Sequence, residues 1–167
     1  MRKALVIGLL LATAACNQPE GAADTAGTEA AATSDALAVV QGFYEAVGKG
    51  DMETVPTLLA DDVSWSEAEG SPLAAGNPYV GFAAMGEGVF GPLNGTFADF
   101  AGAPQQFTTE GNRVVVEGRY TGTHRESGEA LDAPFVHVFT VEDGKIVSFQ
   151  QYTDTWQFRR LMGMLEE

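Results

Sequence analysis

The sequence predicts one domain of the α+β class, with helices near its start and an antiparallel sheet built from the remainder. Between residues 34 and 50, apolar residues recur three to four positions apart, which is the spacing of one helix face. In the second half, stretches of alternating apolar and polar residues are separated by turn-forming residues, a pattern typical of neighbouring strands. Because helices and strands are segregated along the chain, a parallel βαβ fold is not expected.

The first predicted helix starts with Ser34 as its N-cap and ends at Gly50. Its apolar stripe consists of Leu37, Val40, Tyr44 and Val47. A second, short helix is predicted after Asp51 as its cap and through Val55, Leu58 and Leu59, and Pro56 in its second turn delays or bends it. A short strand is predicted over residues 63–67, where apolar and polar side chains alternate.

The segment 79–97 combines irregular apolar spacing with several glycines, so we expect a poorly formed helix and a loop there. Four better strands are predicted after it, over residues 105–109, 113–123, 134–141 and 145–155. The last two strands are joined by Asp143-Gly144, a pair that suits the left-handed backbone of a tight hairpin. The sequence therefore predicts an antiparallel meander at the C-terminal end.

The N-terminal segment has the layout of a secretory signal peptide. Two basic residues, Arg2 and Lys3, precede an apolar stretch over residues 4–15 that is too short to span a bilayer. The small residues before Cys16 resemble the lipobox of bacterial lipoproteins, which implies cleavage after residue 15 and acylation of Cys16. Ordinary signal-peptidase cleavage, which leaves the cysteine unmodified, stays as the alternative.

Three regions are therefore expected: a signal peptide (1–15), a lipidated cysteine with a disordered tether (16–33), and a globular domain (34–167). Residues 17–33 contain no aromatic or large aliphatic side chain, so they bury too little apolar surface to favour an ordered fold. We expect the protein to be exported and anchored by lipid. Asn17, in place of the aspartate that favours inner-membrane retention in such lipoproteins, indicates an outer membrane facing the periplasm.

Charge and motifs exclude several classes of function. The chain has 23 acidic and 9 basic residues, a net charge of −14, so nucleic acid is not an expected partner. Residues 86–91 match the G-x-G-x-x-G spacing, but no convincing strand precedes them and no βαβ unit follows, so nucleotide binding is not predicted. With two histidines and one cysteine, the sequence offers no zinc-ligand set, and we expect neither a metal nor another cofactor.

Alternation along the last hairpin predicts a polar cluster. Phe135, His137 and Phe139 share one face of their strand. On the partner strand, the residues predicted to share one face are Ile146, Ser148, Gln150, Tyr152 and Asp154. Polar groups in an apolar wall are typical of a small-molecule pocket, which Trp65, Tyr79 and Phe90 would also line. In the alternative interpretation, His137 and the aromatic residues belong to the core and Asp154 caps the turn into Trp156.

Three groups of residues carry a family resemblance: the run from Phe43 to Asp51, the run from Leu58 to Val63, and the hairpin residues 135–139, 144–147 and 152–154. In order and spacing they resemble the SnoaL-like branch of the nuclear transport factor 2-like superfamily, near ketosteroid isomerase. The resemblance implies a cone-shaped, curved antiparallel sheet with N-terminal helices packed around an apolar pocket. Such domains are often dimeric through the sheet.

The resemblance also implies roles for individual residues. Glu67 falls on the isomerase's carboxylate base, His137 on the acid of its oxyanion hole, and Asp154 on the acid or base of SnoaL-type cyclases. The tyrosine of the oxyanion hole falls on Phe43, which cannot donate a hydrogen bond. His137 and Asp154 are expected to lie on the concave face of the sheet. Val136, Val138 and Phe149 are expected on the opposite face, against helices or a dimer partner.

Two functions follow as hypotheses. In the first, a membrane-anchored enzyme uses general acid/base chemistry on a small apolar substrate, as an isomerase, cyclase or hydrolase does. Asp154 is then the base, His137 polarises the substrate, Tyr152 donates a hydrogen bond, Glu67 is a second candidate base, and Phe135 and Phe139 contribute to the ligand-binding wall. In the second, the same pocket belongs to a ligand-binding or assembly module without turnover.

Overall fold

Residues 22–165 are described by the structure, a computed structural model, and they form a six-stranded sheet with helices packed on its inner face. The helices are α1 (Ala22–Lys49), α2 (Gly81–Met85), α3 (Gly91–Thr96) and α4 (Thr155–Leu161). The strands are β1 (Leu59–Ser66), β2 (Tyr79–Val80), β3 (Phe97–Glu110), β4 (Arg113–His124), β5 (Ala130–Glu142) and β6 (Lys145–Thr153). Short 3₁₀ turns cover Val55–Leu58 and Pro72–Gly76, and a π-helical turn covers Gly86–Phe90. The predicted α+β class is confirmed.

The sheet is curved and unclosed, with strand order β2-β1-β6-β5-β4-β3. Strands β3 to β6 form the antiparallel meander that the alternation predicted. Strand β1 pairs parallel with β6, which is possible because the segment from β2 to β5 gives the chain a long connection between the two strands. The sheet is therefore mixed, with one parallel pair between its N-terminal and C-terminal strands.

Helix α1 packs across the inner face of the sheet, against β3, β4 and β5. Its buried residues are Ala36, Val40, Phe43 and Ala46, spaced three or four apart. The helix begins at Ala22, twelve residues before the expected Ser34 N-cap. Alanine has the highest helix propensity, and the segment before Ser34 is rich in it, which accounts for the longer helix.

The segment predicted as a poorly formed helix is a continuous helical stretch from α2 through the π-helical turn to α3. Tyr79 anchors it: the ring lies between Gly76 and Gly88, and the hydroxyl donates to the Leu73 carbonyl oxygen at 2.7 Å. A Cβ atom at Gly88 would lie 2.1 Å from the Tyr79 ring, so only glycine permits this approach. Gly88 therefore lets the Tyr79 ring pack closely against this stretch.

Strand β6 contains an irregularity that changes which side chains face inward. Val141 pairs with Ile146 but Thr140 pairs with Ser148, so one extra residue lies in β6. A β-bulge of this kind shifts the alternation by one position. Ile146 is therefore buried together with Phe149 and Gln151. The predicted face containing Ser148, Gln150 and Tyr152 is wrong beyond this point, as is the expected outward position of Phe149.

None of the helices within residues 22–165 is both long enough and apolar enough to cross a membrane. Cys16 and the segment 1–21 lie outside the described residues, so the signal peptide, the acylation and the first part of the tether stay predictions.

Candidate functional site

His137 lies at the centre of the inner face of β5. The buried positions of this strand alternate through Phe135, His137 and Phe139, as predicted. Phe135 stacks on the imidazole at a centroid distance of 4.0 Å. From the neighbouring strand, Phe149 contacts the imidazole edge to face at 4.8 Å. His137 is thus a polar group within an aromatic wall.

Two tyrosines bind the two nitrogens of this imidazole. The Tyr44 hydroxyl, from α1, lies 2.6 Å from Nδ1, and the Tyr120 hydroxyl, from β4, lies 2.5 Å from Nε2. Burial lowers the pKa of His137 to about 3, so the ring is neutral at physiological pH. Burial also raises the pKa of both tyrosines, so both hydroxyls keep their protons.

Gln151 completes this group from β6, directly opposite His137 in the strand pairing. Its Nε2 donates to the Tyr120 hydroxyl at 2.9 Å, and its Oε1 accepts from the Ala68 backbone N–H at 3.3 Å. We refer to Gln151, Tyr120, His137 and Tyr44 as the tyrosine–histidine chain. It connects α1 with β4, β5 and β6.

Glu67 brings a carboxyl group to the same interior. Val63 and Trp65 are buried in alternation in β1, and Glu67, the residue directly after the strand, continues this pattern and is only 1 % exposed. The Asn77 amide fixes its backbone, accepting from the Glu67 N–H at 2.9 Å and donating to the Glu67 carbonyl at 2.7 Å. The Trp65 indole N–H donates to Oε1 at 2.7 Å.

The second carboxyl oxygen of Glu67, Oε2, differs from Oε1 in its hydrogen bonding. Among residues 22–165, Oε2 has no hydrogen-bond partner although it is buried. Burial raises the pKa of Glu67 to about 7, against the opposing effects of the Trp65 indole N–H and of the nearby Gln151 side-chain amide. Near neutral pH the carboxyl therefore exists in both its charged and its neutral form.

The tyrosine–histidine chain and Glu67 line one interior cavity of about 70 Å³. The remaining walls are mostly apolar and come from α1, β1, β3, β6 and the helical stretch: Phe43, Val47, Trp65, Val89, Phe90, Leu93, Phe100, Gly102 and Phe149. The π-helical turn supplies Val89 and Phe90, and such turns recur at functional sites. No lysine or arginine is among these lining residues.

The structure therefore brings together some of the predicted site residues. Glu67, His137, Trp65 and Phe90 line the cavity. Phe135 and Phe139 lie beside His137 in the core but are not part of the cavity wall. Tyr79, also predicted to line the pocket, is held between two glycines.

Tyr152 and Asp154 lie outside the cavity, contrary to the expectation that they share a concave face with His137. Tyr152 is 58 % exposed and pairs with Val136 on the outer face of the sheet. Asp154 is the N-cap of α4, where Oδ1 accepts from the Trp156 and Gln157 backbone N–H groups at 3.2 and 3.4 Å. The bulge in β6 accounts for the first error, and the end of the strand at Thr153 accounts for the second.

Sequence reasoning missed Tyr44, Tyr120 and Gln151 as site residues. The resemblance put the oxyanion-hole tyrosine on Phe43, whereas the tyrosine that reaches the cavity is the next residue. Tyr120 is an inward residue of β4, and its alternation with Val114 and Val116 is the signal that could have identified it. Gln151 could be placed only once the bulge was known.

Cys16, the predicted lipidation site, lies outside the described residues. Within residues 22–165, no three histidine, cysteine or acidic side chains come close enough to hold a metal ion.

Comparison with solved structures identifies proteins of the same fold. An NTF2-like protein from Burkholderia thailandensis is 28 % identical, with a TM-score of 0.71, over 76 % of this chain and 96 % of that one. An NTF2-like protein of unknown function from Burkholderia pseudomallei is 30 % identical over the same shares, with a TM-score of 0.68. TerC, crystallised with polyporic acid, is 25 % identical over 77 % of this chain and 98 % of its own, with a TM-score of 0.68.

No curated protein matches the sequence. The family model of the SnoaL-like domain matches residues 40–149. This range includes α1 from Val40, the whole helical stretch and β6 as far as Phe149. This match covers more than half of the chain and contains Glu67, His137 and both cavity tyrosines. The chain therefore belongs to the family of SnoaL-like domains.

Proposed function

We propose that the protein binds a small, largely apolar molecule in this cavity and catalyses proton transfer on it, as isomerases, cyclases and some hydrolases do. The observation that carries the proposal is the buried Oε2 of Glu67, which lacks a partner among residues 22–165. A carboxyl whose pKa is about 7 can both accept and return a proton near neutral pH. Glu67 is thus the base in this proposal.

The proposed reaction needs one base and one hydrogen-bond donor. Ionised Glu67 removes a proton from a carbon next to a carbonyl group, and negative charge develops on the carbonyl oxygen. The Tyr44 hydroxyl, which lines the same cavity, stabilises that charge by donating a hydrogen bond. Glu67 then returns the proton to the same or another atom of the substrate, so no other reactant is consumed.

The cavity wall supports an uncharged substrate with a flat apolar part. Trp65, Phe90 and Phe149 supply aromatic surface, and no cationic side chain lines the cavity to pair with an anion. The volume of about 70 Å³ is below the roughly 300 Å³ or more that small-molecule sites usually have. We propose that Phe90 and Leu93 move with their helical segment when the substrate enters.

The sequence predicted Asp154 as the base and Glu67 as the second candidate. The present proposal makes Glu67 the base instead. Both oxygens of Asp154 accept hydrogen bonds near the start of α4, Oδ2 from the Gln157 side-chain amide at 2.8 Å. Oε2 of Glu67, by contrast, is unpartnered among the described residues, and Glu67 lines the cavity. The geometry thus supports Glu67 as the base and a capping role for Asp154.

Hydrogen exchange on a bound ligand tests this proposal. Native mass spectrometry of the full-length protein identifies the molecule that co-purifies, and incubation in deuterated water then labels any carbon that Glu67 deprotonates. We expect the Glu67→Gln variant to slow this labelling by about a hundredfold or more. Tyr152→Phe, which removes an exposed hydroxyl outside the cavity, is the control and should label at the wild-type rate. Unchanged labelling in Glu67→Gln would contradict the proposal.

A non-catalytic ligand-binding module is the second candidate. Two observations favour it: the narrow aromatic cavity, and TerC, a protein of similar fold that was crystallised with polyporic acid. In this case the same experiment would find a co-purifying molecule that acquires no deuterium in the wild-type protein.

We also propose that the protein is exported and anchored in a membrane through acylated Cys16, facing the periplasm from the outer membrane. The basic residues Arg2 and Lys3, the short apolar segment and the small residues before Cys16 support this proposal. The anchor would hold the cavity close to apolar molecules that partition into lipid.

A homodimer through the outer face of the sheet is a further proposal. Val136 and Val138 are only half-buried there, and the exposed Tyr152 pairs with Val136 across the strands. These side chains and Val115, which pairs with Val138, form an apolar patch on the outer face that a second copy could cover. Light scattering of Val138→Asp should detect monomers where the wild-type protein forms dimers.

A further inference from the structure

The hydrogen bonds of the tyrosine–histidine chain have a direction, and the contacts at its far end determine it. The backbone N–H of Ala68 can only donate, and it points at Oε1 of Gln151. The Gln151 amide is therefore oriented with its nitrogen toward Tyr120, to which it donates at 2.9 Å. The chain thus begins with a fixed donor.

The next two bonds follow from this donor. The Tyr120 hydroxyl accepts from Gln151, so its own proton is free for its other partner, Nε2 of His137 at 2.5 Å. An Nε2 atom that accepts carries no proton. A neutral imidazole has one N–H, which must then be on Nδ1.

The opposite direction leaves a buried group unsatisfied. If Nε2 carried the proton, Tyr120 would accept two hydrogen bonds, and its own proton would have no acceptor at bonding distance among the described residues. Tyr120 is buried, and leaving a buried donor unpaired costs free energy. The direction from Gln151 toward Tyr44 is therefore the stable one.

We propose that Gln151 is a positioning residue that sets the tautomer of His137 and so turns the Tyr44 hydroxyl into a donor to the cavity. In this direction Nδ1–H donates to the Tyr44 oxygen at 2.6 Å. The Tyr44 proton then has no acceptor within residues 22–165 and is available to a ligand. His137 does not itself bind the ligand. Its tautomer links the hydrogen bond from Tyr120 to the hydrogen bond with Tyr44, so the donor direction set by Gln151 in β6 reaches α1.

This inference deepens the proposed function, since it names the hydroxyl that meets the substrate oxygen and the residue that orients it. It predicts that the site selects ligands with a hydrogen-bond acceptor near Tyr44. A ligand offering only a donor at that position would leave the Tyr44 proton unpaired and would bind more weakly.

The tautomer can be measured without any ligand. Proton–nitrogen NMR correlations of full-length protein with labelled histidine distinguish Nδ1–H from Nε2–H, and a His124→Gln variant removes the signals of the second histidine, which lies outside the cavity. We expect a single Nδ1–H tautomer for His137. A proton on Nε2 in the wild-type protein would overturn the inference.

A matched pair of variants tests the role of Gln151. Gln151→Leu removes the fixed donor, so we expect the His137 signals to move toward a mixture of both tautomers. Gln150→Leu makes the same chemical change one residue away, at a half-buried position beyond the cavity, and should leave the Nδ1–H tautomer intact. An unchanged tautomer in Gln151→Leu would contradict the positioning role. The measurement needs no turnover, so it separates this inference from a failure of the proposed reaction.

Discussion

At the scale of single residues, the cavity is lined by an acid and an imidazole whose pKa values shift in opposite directions. Burial disfavours charge, so the pKa of Glu67 rises to about 7 and that of His137 falls to about 3. These shifts have opposite consequences for stability. For Glu67, the free energy of unfolding decreases as pH rises from 4.5 to about 7. For His137, it decreases as pH falls from 6.5 to about 3.

Glu67→Gln should therefore stabilise the fold above neutral pH. The charged carboxylate is unfavourable in the buried site, and a shift from 4.5 to about 7 corresponds to about 3 kcal/mol at full ionisation. Urea unfolding should find the variant more stable than the wild-type protein near pH 8, with the difference closing below about pH 5.

The neighbouring Glu69→Gln, at an exposed position, is the control for the Glu67 substitution. It should change stability by less than about 0.5 kcal/mol at either pH. A pH-independent difference between Glu67→Gln and wild type would show that the carboxyl does not titrate in this range. The activity loss expected for Glu67→Gln would then need another explanation.

At the scale of secondary-structure elements, Asp154 lies between the end of β6 and the start of α4 and serves as the N-cap of α4. Its carboxylate accepts from two N–H groups in the first turn of α4. Replacing such a cap with alanine typically costs about 1 kcal/mol, whereas asparagine caps about as well as aspartate. We expect Asp154→Ala to lower the free energy of unfolding by about 1 kcal/mol and Asp154→Asn to preserve it.

Activity separates the two interpretations of Asp154. If it only caps α4, Asp154→Asn should turn over ligand at the wild-type rate. If it were the base, the same variant would lose activity while keeping its stability.

The packing of Tyr79 makes a second prediction at this scale. A Cβ at Gly88 would overlap the Tyr79 ring, so Gly88→Ala should destabilise the domain by about 1–3 kcal/mol. Gly86→Ala lies in the same helical stretch with nothing within 4 Å of the added Cβ, and it should be neutral or stabilising by up to about 1 kcal/mol. Thermal unfolding should therefore show a lower melting temperature for Gly88→Ala and an unchanged or higher one for Gly86→Ala.

The type of each element was predictable because periodicity depends on a few neighbouring residues. The face on which a side chain lies was predictable only where the alternation along the strand is unbroken. The alternation of Phe135, His137 and Phe139 continues unbroken through β5, so their shared inner face was predicted correctly. In β6 one extra residue reverses the alternation, and no local signal in the sequence marks it. The error exchanged Gln151 for Tyr152 in the predicted site.

The helix α1 shows a second limit of the same kind. Phe43 and Tyr44 are adjacent, so a resemblance displaced by one residue exchanges a core side chain for a hydrogen-bonding one. On a helix, adjacent residues point about a third of a turn apart, and packing against β3 to β5 determines which one meets His137. Only the assembled structure brings Tyr44 onto the imidazole.

At the scale of the whole molecule, the site depends on elements that are distant in sequence. The tyrosine–histidine chain joins α1, β4, β5 and β6, and Glu67 adds the end of β1. Curvature of the sheet brings these elements around one interior, which the helical stretch from α2 to α3 covers. Within the described residues, none of the groups proposed for catalysis lies N-terminal to Tyr44.

The separation between the N-terminal segment and the site leads to the last prediction. Cys16 is the only cysteine in the chain, and it lies twenty residues before Ala36, a buried residue of α1. Cys16→Ser should abolish acylation and move the protein from the membrane fraction to the soluble fraction of the cell. Because residues 17–33, which follow Cys16, contain no aromatic or large aliphatic side chain that could pack on a core, the melting temperature of the domain should stay unchanged. Cell fractionation followed by mass spectrometry of the N-terminal peptide measures the first effect, and thermal unfolding in detergent measures the second. A wild-type N-terminal peptide that carries no acyl group on Cys16 would contradict the lipid anchor, whereas a lower melting temperature of Cys16→Ser would mean that the N-terminal segment packs against the domain.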